Sequence, residues 1–360
     1  MALNLQKLFI DVFAPIPSDR VLFIIDVPHH TPDDDEWKAR REMAQCWHAV
    51  MSDLAKERGF NLLPIAQYRD VALHNNSLPD TFLSEGNSVK ADALVGSTSL
   101  VIAMTKWSAS APLHEWAHDY SGLRAASLPG ITTAMETTAL SADYAKVASY
   151  CRILQPRLDA AELAFIRFST GDELNLDLRW RKAHMDDGVL HPDQAGKLIN
   201  LPSGEVYSAL YEGEHKGSES RTEGILPVVW NGSIMRLTVE RNTVTEISAE
   251  KDNSLRKFLE QDAARRNIAE LGLGCNPAAE VTGNILEDEK AGPHIALGRS
   301  DHLGGAVGPA QFQLEPWHQD FAYTRKCPIY IESLVLASDA AGSETLISRG
   351  HYSRHLDIPI

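Results

Sequence analysis

Cysteine is scarce in this 360-residue chain: Cys46, Cys151, Cys275 and Cys327 are widely scattered. They form no CxxC pair and no disulfide framework, so the expectation is reduced thiols in a cytoplasmic protein. Long apolar runs are also missing. The strongest, residues 21–27 and 99–104, are far too short to span a bilayer. The opening Met-Ala-Leu-Asn-Leu-Gln-Lys has no basic segment leading into an apolar core, so no signal peptide is expected. Positive charge is in deficit, with 34 Lys and Arg against 49 Asp and Glu, a formal net charge of −15. Such a surface repels phosphate backbones and anionic lipid, which argues against nucleic-acid and membrane partners. It suits solubility, or a cationic or neutral small substrate. Low-complexity and repeat segments are absent, and ordinary globular composition argues against disorder.

What is present divides into two patterns. Residues 21–27 (VLFIIDV) form a continuous apolar run, the mark of a strand buried on both faces. Asp33, Asp34 and Asp35 then open a helix in which Met43, Trp47, Val50, Met51 and Leu54 recur at helical spacing, with Gly59 as its stop. Further buried strands are expected at 61–68 and 99–105, and helices at 141–150 and 159–164. Alternating strands and helices predict an α/β N-terminal domain with a mostly parallel sheet, residues 1–163. No glycine-rich turn follows the first strand, so a dinucleotide site is not expected there. Residues 164–360 are richer in glycine and in β-type segments, at 205–211, 225–229, 233–239 and 243–248, with Glu240-Arg241-Asn242 as a hairpin connection. One helix, about 253–269, interrupts them. This half reads as an α+β C-terminal metal-binding domain.

The chemistry is concentrated in that half. In Trp317-His318-Gln319-Asp320-Phe321, a strand would project His318 and Asp320 from one face, a half-site for a divalent metal. His294 in Pro293-His294-Ile295-Ala296-Leu297-Gly298, Glu270 in Ile268-Ala269-Glu270-Leu271-Gly272, and Glu205 in Gly204-Glu205-Val206-Tyr207 each interrupt an apolar stretch. An acid in such a place is costly unless paired or bound to metal, and one shared cation site explains all of them together.

These stretches, together with Asn200-Leu201-Pro202-Ser203 just before them, resemble the thermophilic metallo-aminopeptidases of the aminopeptidase T and aminopeptidase S type. The resemblance runs from about Ser121 to Tyr330. It implies that Glu205, Glu270, His294, His318 and Asp320 hold divalent ions (Zn, Co, Mn or Fe), two per chain. It also implies a homodimer that hydrolyses amides of short peptides or small molecules. Two such ions lower the pKa of a shared water and polarise a carbonyl, while a carboxylate, Glu205 or Glu270, takes the proton. One departure stands out. The family usually carries a tyrosine a few residues after the histidine matched by His294; here Asp301 lies near that place, followed by His302, and either could assist.

A more distant resemblance is to the 2,5-dihydroxypyridine dioxygenases, through His318-Gln319-Asp320 and Cys327-Pro328-Ile329-Tyr330. These iron enzymes generally have a histidine where this chain has Glu270, and lack the acid at Glu205. Extra carboxylates suit a hydrolytic site with two ions, so ring-opening oxygenation is the alternative function.

Other motifs have simpler explanations. His114-Glu115-Trp116-Ala117-His118 matches H-E-x-x-H, with Glu136 at a plausible distance for a third ligand. Asp119 follows where an uncharged residue is usual, and a partly exposed helix accounts for the segment. His29 and His30 fit a polar loop, and Asp33–Glu36 fits a helix start. Glu287-Asp288-Glu289-Lys290 reads as solvated, with a contact to the cluster as the alternative. Cys275 and Cys327 read as small buried residues rather than nucleophiles.

Overall fold

The computed structural model describes residues 3–248, 253–340 and 342–360. Its contacts cluster into two compact units: Met1–Ala148 with Asp186–Ser203 and Ala278–Glu280, and Ser149–Met185 with Gly204–Pro277 and Val281–Ile360. The chain therefore passes between units several times, where the sequence reading has one boundary after residue 163. Among the described residues, no helix is long and apolar enough to cross a membrane.

The first unit is built on an eight-stranded sheet. The Arg20–Val27 strand lies between Leu100–Met104 and Ala66–Arg69, parallel to both. Arg124–Ser127 and Leu198–Asn200 extend the parallel part, and the Thr81–Ser84/Asn87–Lys90 hairpin closes the other edge. Val21 through Ile25 are buried as a run, as a strand covered on both faces requires. The Asp35–Arg58 helix begins where Asp34 accepts the Trp37 amide at 2.8 Å and ends at Gly59 in the left-handed region. Trp37, Met43, Trp47, Met51 and Leu54 bury its inner face. The expected strand at 61–68 is two short ones, Asn61–Leu62 and Ala66–Arg69, separated by a segment containing Pro64, which has no amide hydrogen for a ladder.

The second unit contains two sheets. In the eight-stranded one, Leu163–Phe168 pairs antiparallel with Glu173–Asp177 and Ile331–Ser338. This corrects the expected helix at 159–164: one helix, Tyr144–Asp159, ends there, and alternating burial along Leu163–Phe168 marks a strand. At the far side, Ser233–Glu240 and Thr243–Ser248 form the expected hairpin, with Arg241 and Asn242 both at positive φ. The helix expected over 253–269 is shorter. Ser254–Glu260 is α-helical, Ala263–Arg266 is a 3₁₀ turn, and Ile268 already begins a strand; residues 249–252 lie outside the described set.

The other sheet has five strands: His184–Asp186, Glu205–Ala209, Ile268–Gly274, Pro293–Gly298 and His318–Ala322, in that order. Each of the last four is antiparallel to the next. The sheets are thus mixed across the chain, one largely parallel and two antiparallel.

Candidate metal centre

Strand periodicity places the cluster. Glu205, Glu270, His294, His318 and Asp320 lie on four adjacent strands, and the register puts all of them on one face. Ala209 faces Glu270, Glu270 faces Ala296, and Ala296 faces Asp320. His294 stands opposite Gly272, and His318 opposite Gly298. The alternate residues Val206, Leu271, Leu273, Ile295 and Leu297 are buried on the opposite face. Burial of those aliphatic side chains fixes the register, and the register turns the polar set to the other side.

Small residues make room for large ligands. A Cβ on Gly272 would sit 1.9 Å from His294 Nε2, so the imidazole occupies the space that any side chain at 272 would need. A Cβ on Gly274 would lie 2.4 Å from the Glu289 carbonyl oxygen and 2.5 Å from the Gly292 amide nitrogen. That absence lets residues 289–292 lie close against the sheet, beside Glu205, which pairs with Gly274.

Two groups of possible ligand atoms result, Glu205–Glu270–His294 and Glu270–His318–Asp320, each with its atoms within 4.8 Å of one another. Glu270 is common to both. His294 Nε2 is 3.4 Å from Glu205 Oε2 and 3.7 Å from Glu270 Oε1, and His318 Nε2 is 3.3 Å from Glu270 Oε2 and 3.5 Å from Asp320 Oδ1. A carbonyl can only accept, so His294 Nδ1 donates to Gly292 O (3.2 Å) and His318 Nδ1 to Arg299 O (2.7 Å). Both Nε2 atoms are thereby aimed into the cluster, the arrangement that orients metal-binding histidines.

The electrostatics call for a cation. Burial lowers the His294 pKa, but Glu270, Glu205 and Asp320 more than offset it and push it up to about 10. Burial also opposes charge on His318, yet Asp320 and Glu270 raise it well above the ordinary value. Glu270 is held well below the carboxylate range because the two imidazoles outweigh its burial. His294 Nε2 and Asp320 Oδ1 are buried without a hydrogen-bond partner. Buried polar atoms are rarely left so, and a carboxylate–imidazole set of this kind fits a divalent ion such as Zn, Mn, Co or Fe.

Asp301 and His302 sit beside the cluster rather than in it. Arg299 Nε bonds Asp301 Oδ1 at 2.5 Å, and the His302 ring centroid is 5.2 Å from that of His318. Burial raises the Asp301 pKa, but His302 and Arg299 bring it well below the usual range. Burial lowers that of His302.

Four further residues border the cluster: Lys290, Glu289, Tyr207 and His184. Lys290 is fully buried, its Nζ 2.5 Å from Glu205 Oε1 and 2.7 Å from Glu289 Oε1. This corrects the reading of 287–290 as solvated, since Glu287 and Lys290 are both buried. Burial, with the Glu205 and Asp320 charges and against Lys290, pushes Glu289 up to about 8. Tyr207 shares the ligand face, and His184 stacks on it at 5.6 Å. The two-residue step from Glu205 to Tyr207 was the available signal for that pair.

The discounted motifs lie elsewhere. His114 and His118 are exposed, and Glu136 accepts the Trp47 indole N–H at 2.9 Å; among the described residues none of them joins a cation-capable group. His29 and His30 are exposed, with backbone amides donating to Asp70. Asp33 pairs with Arg41, and Asp34 caps its helix. Cys275 is buried 3.4 Å from Cys151, sulfur to sulfur, whereas Cys327 is only half-buried, beside Thr324.

Residues 130–305 match the thermophilic metalloprotease family (M29). That segment contains Glu205, Glu270 and His294 and ends before His318 and Asp320. No curated protein sequence matches. Two solved structures share the fold. The 2,5-dihydroxypyridine dioxygenase from Pseudomonas putida is 15% identical, with a TM-score of 0.65, covering 97% of this chain and 96% of its own. Wild-type AmpT from Thermus thermophilus is 16% identical, with a TM-score of 0.59, covering 97% and 98%. One fold thus accommodates both, and the reaction must be argued from the site.

Proposed function

We propose that this protein is a metal-dependent hydrolase that cleaves amide bonds at the amino end of short peptides or related small molecules. The observation that carries the reading is the shared carboxylate Glu270 between two ligand groups. Four of the five ligands would be Glu270 with His294 on one side, and His318 with Asp320 on the other, while Glu205 completes the first group. The match to a metalloprotease family supports divalent-metal use. Bound ions would supply Lewis acidity and a water of lowered pKa.

The chain's own groups divide the remaining work. Glu270 presents one oxygen to each histidine, so both of its oxygens are committed. Glu205 is engaged as well, with Oε2 facing His294 and Oε1 bonded to Lys290, and the acceptor for the attacking water's proton is one of these two acids. The Gly292 and Arg299 carbonyls keep both imidazoles in the tautomer that leaves Nε2 free to ligate. His302 and Asp301, at the rim beside His318, stand where a leaving group or substrate polar atom would be met.

The test is an anaerobic assay of protein reconstituted with Zn, Mn, Co or Fe, on amino-acid amides and dipeptides. Turnover without oxygen is expected. Oxygen uptake in step with loss of a dihydroxylated aromatic, supported by Fe(II) only and with peptides untouched, would overturn the proposal in favour of ring cleavage.

A further inference from the structure

Lys290 is the feature that a centre made only of metal ligands does not require. Its side chain is fully buried, and its ammonium bridges Glu205 Oε1 at 2.5 Å and Glu289 Oε1 at 2.7 Å. The backbone holds it there from both sides: its amide donates to Glu287 O, and its carbonyl accepts from the Asn276 amide, each at 3.0 Å. The bare Gly274 gives that segment its place against the sheet, directly beside Glu205. A buried ammonium held by the Glu205 carboxylate and the Glu289 carboxyl group is a strong, desolvated contact, and removing the cation would leave the Glu205 charge uncompensated. Among the described residues, no lysine or arginine pairs with Asp320 or Glu270 at the other end of the cluster. Asp320 and Glu270 meet only His318 there, and Asp320 Oδ1 has no hydrogen-bond partner.

We propose that Lys290 is a cation built into the centre, which makes the two ion positions unequal. The Glu270–His318–Asp320 position fills first. The Glu205–Glu270–His294 position fills second and more weakly, because Lys290 already neutralises Glu205, limits it to ligation through Oε2, and repels an incoming dication. This rests on the metal-site reading above and adds the order of filling to it. Lys290 is accordingly a positioning residue, acting through Glu205.

The experiment is a calorimetric titration of the metal-free full chain with Zn²⁺ and with Mn²⁺, backed by elemental analysis after desalting. Wild type should show two phases, the second weaker by about tenfold or more. Asp320→Ala should abolish the tight phase. Lys290→Met, similar in length but uncharged, should strengthen the weak phase by about tenfold, and Lys290→Arg should retain the wild-type gap. Two equal ions in wild type would overturn the inference without any variant, as would Lys290→Met weakening the second phase or leaving it unchanged. Binding of no ion by folded wild-type protein is a different failure: it removes the metal-site reading, and the order of filling with it.

Discussion

Replacing Gly272 by alanine adds one methyl group, and its consequences follow from three distances. The new Cβ would lie 1.9, 2.1 and 2.6 Å from His294 Nε2, Cε1 and Cδ2. Normal contacts are roughly 3.5–4.0 Å, so the imidazole must move by more than about 1 Å. Metal–ligand distances tolerate only about 0.2 Å, so His294 ceases to ligate. Gly272 lies in a fully buried strand that cannot yield easily, and overpacking there costs about 1–3 kcal/mol. Thermal unfolding with and without Zn²⁺ separates the two effects. Wild type should gain about 2.7 kcal/mol at a hundredfold excess over Kd, whereas Gly272→Ala should be less stable in chelator and gain much less from metal. In a His294→Ala background the same substitution should cost almost nothing, because the atoms it collides with are gone. Full metal-dependent stabilisation of Gly272→Ala, or a cost undiminished in the His294→Ala background, would refute the placement of His294 over this strand.

Other expectations follow from the same geometry. His318→Ala should lower metal affinity by more than the roughly 10–100-fold that outer partners of a ligand cost, while His114→Ala and His118→Ala should leave metal content unchanged by elemental analysis. The His294 pKa rises from 6.5 to about 10 in the ion-free protein, so its contribution to stability is complete below 6.5 and is lost as pH climbs through 10. Metal-free protein should therefore melt lower at pH 10 than at pH 7 by more than loaded protein does. Metal binding at pH 7 should release protons, detected by calorimetry in buffers of different ionisation enthalpy. Asp301→Tyr should raise peptide turnover if the absent phenol limits the reaction; an unchanged kcat/KM would assign the substrate preference to another feature.

The cluster was visible in the sequence because its members violate their surroundings. Glu205, Glu270 and His294 interrupt strands whose other residues are aliphatic, and the two-residue step between His318 and Asp320 predicts a shared face. The hairpin at Arg241-Asn242 and the Asp34 cap were legible for the same local reasons. Lys290 was not. Within Glu287-Asp288-Glu289-Lys290 it looks like any solvated charge, and its partner Glu205 is 85 residues away. Only the close approach beside Gly274 buries it. The helix expected over 253–269 went too far because short apolar runs such as Ile268–Leu271 fit either period, and pairing with Pro293–Gly298 makes them a strand. The strand after Asp159 was hidden similarly, its partners lying at 173–177 and 331–338.

Because every candidate ligand comes from one face of a single sheet, the site is a matter of parity. Outside the irregularity between Ile268 and Glu270, odd steps from a candidate ligand land on the face of Val206, Leu271 and Ile295, and even steps return to the cluster side. Deletion of Leu271 would put Glu270 out of step with Gly272, which stands opposite His294, so the two would no longer share a face. Length changes in the irregular stretch before His318 carry no such penalty, since the parity of the following strand is reset by its own pairing with Pro293–Gly298. The approach to this cluster can thus change in length, while the strands beneath it must keep the phase between Glu270 and Gly272, His294 and Gly298, and His318 and Asp320.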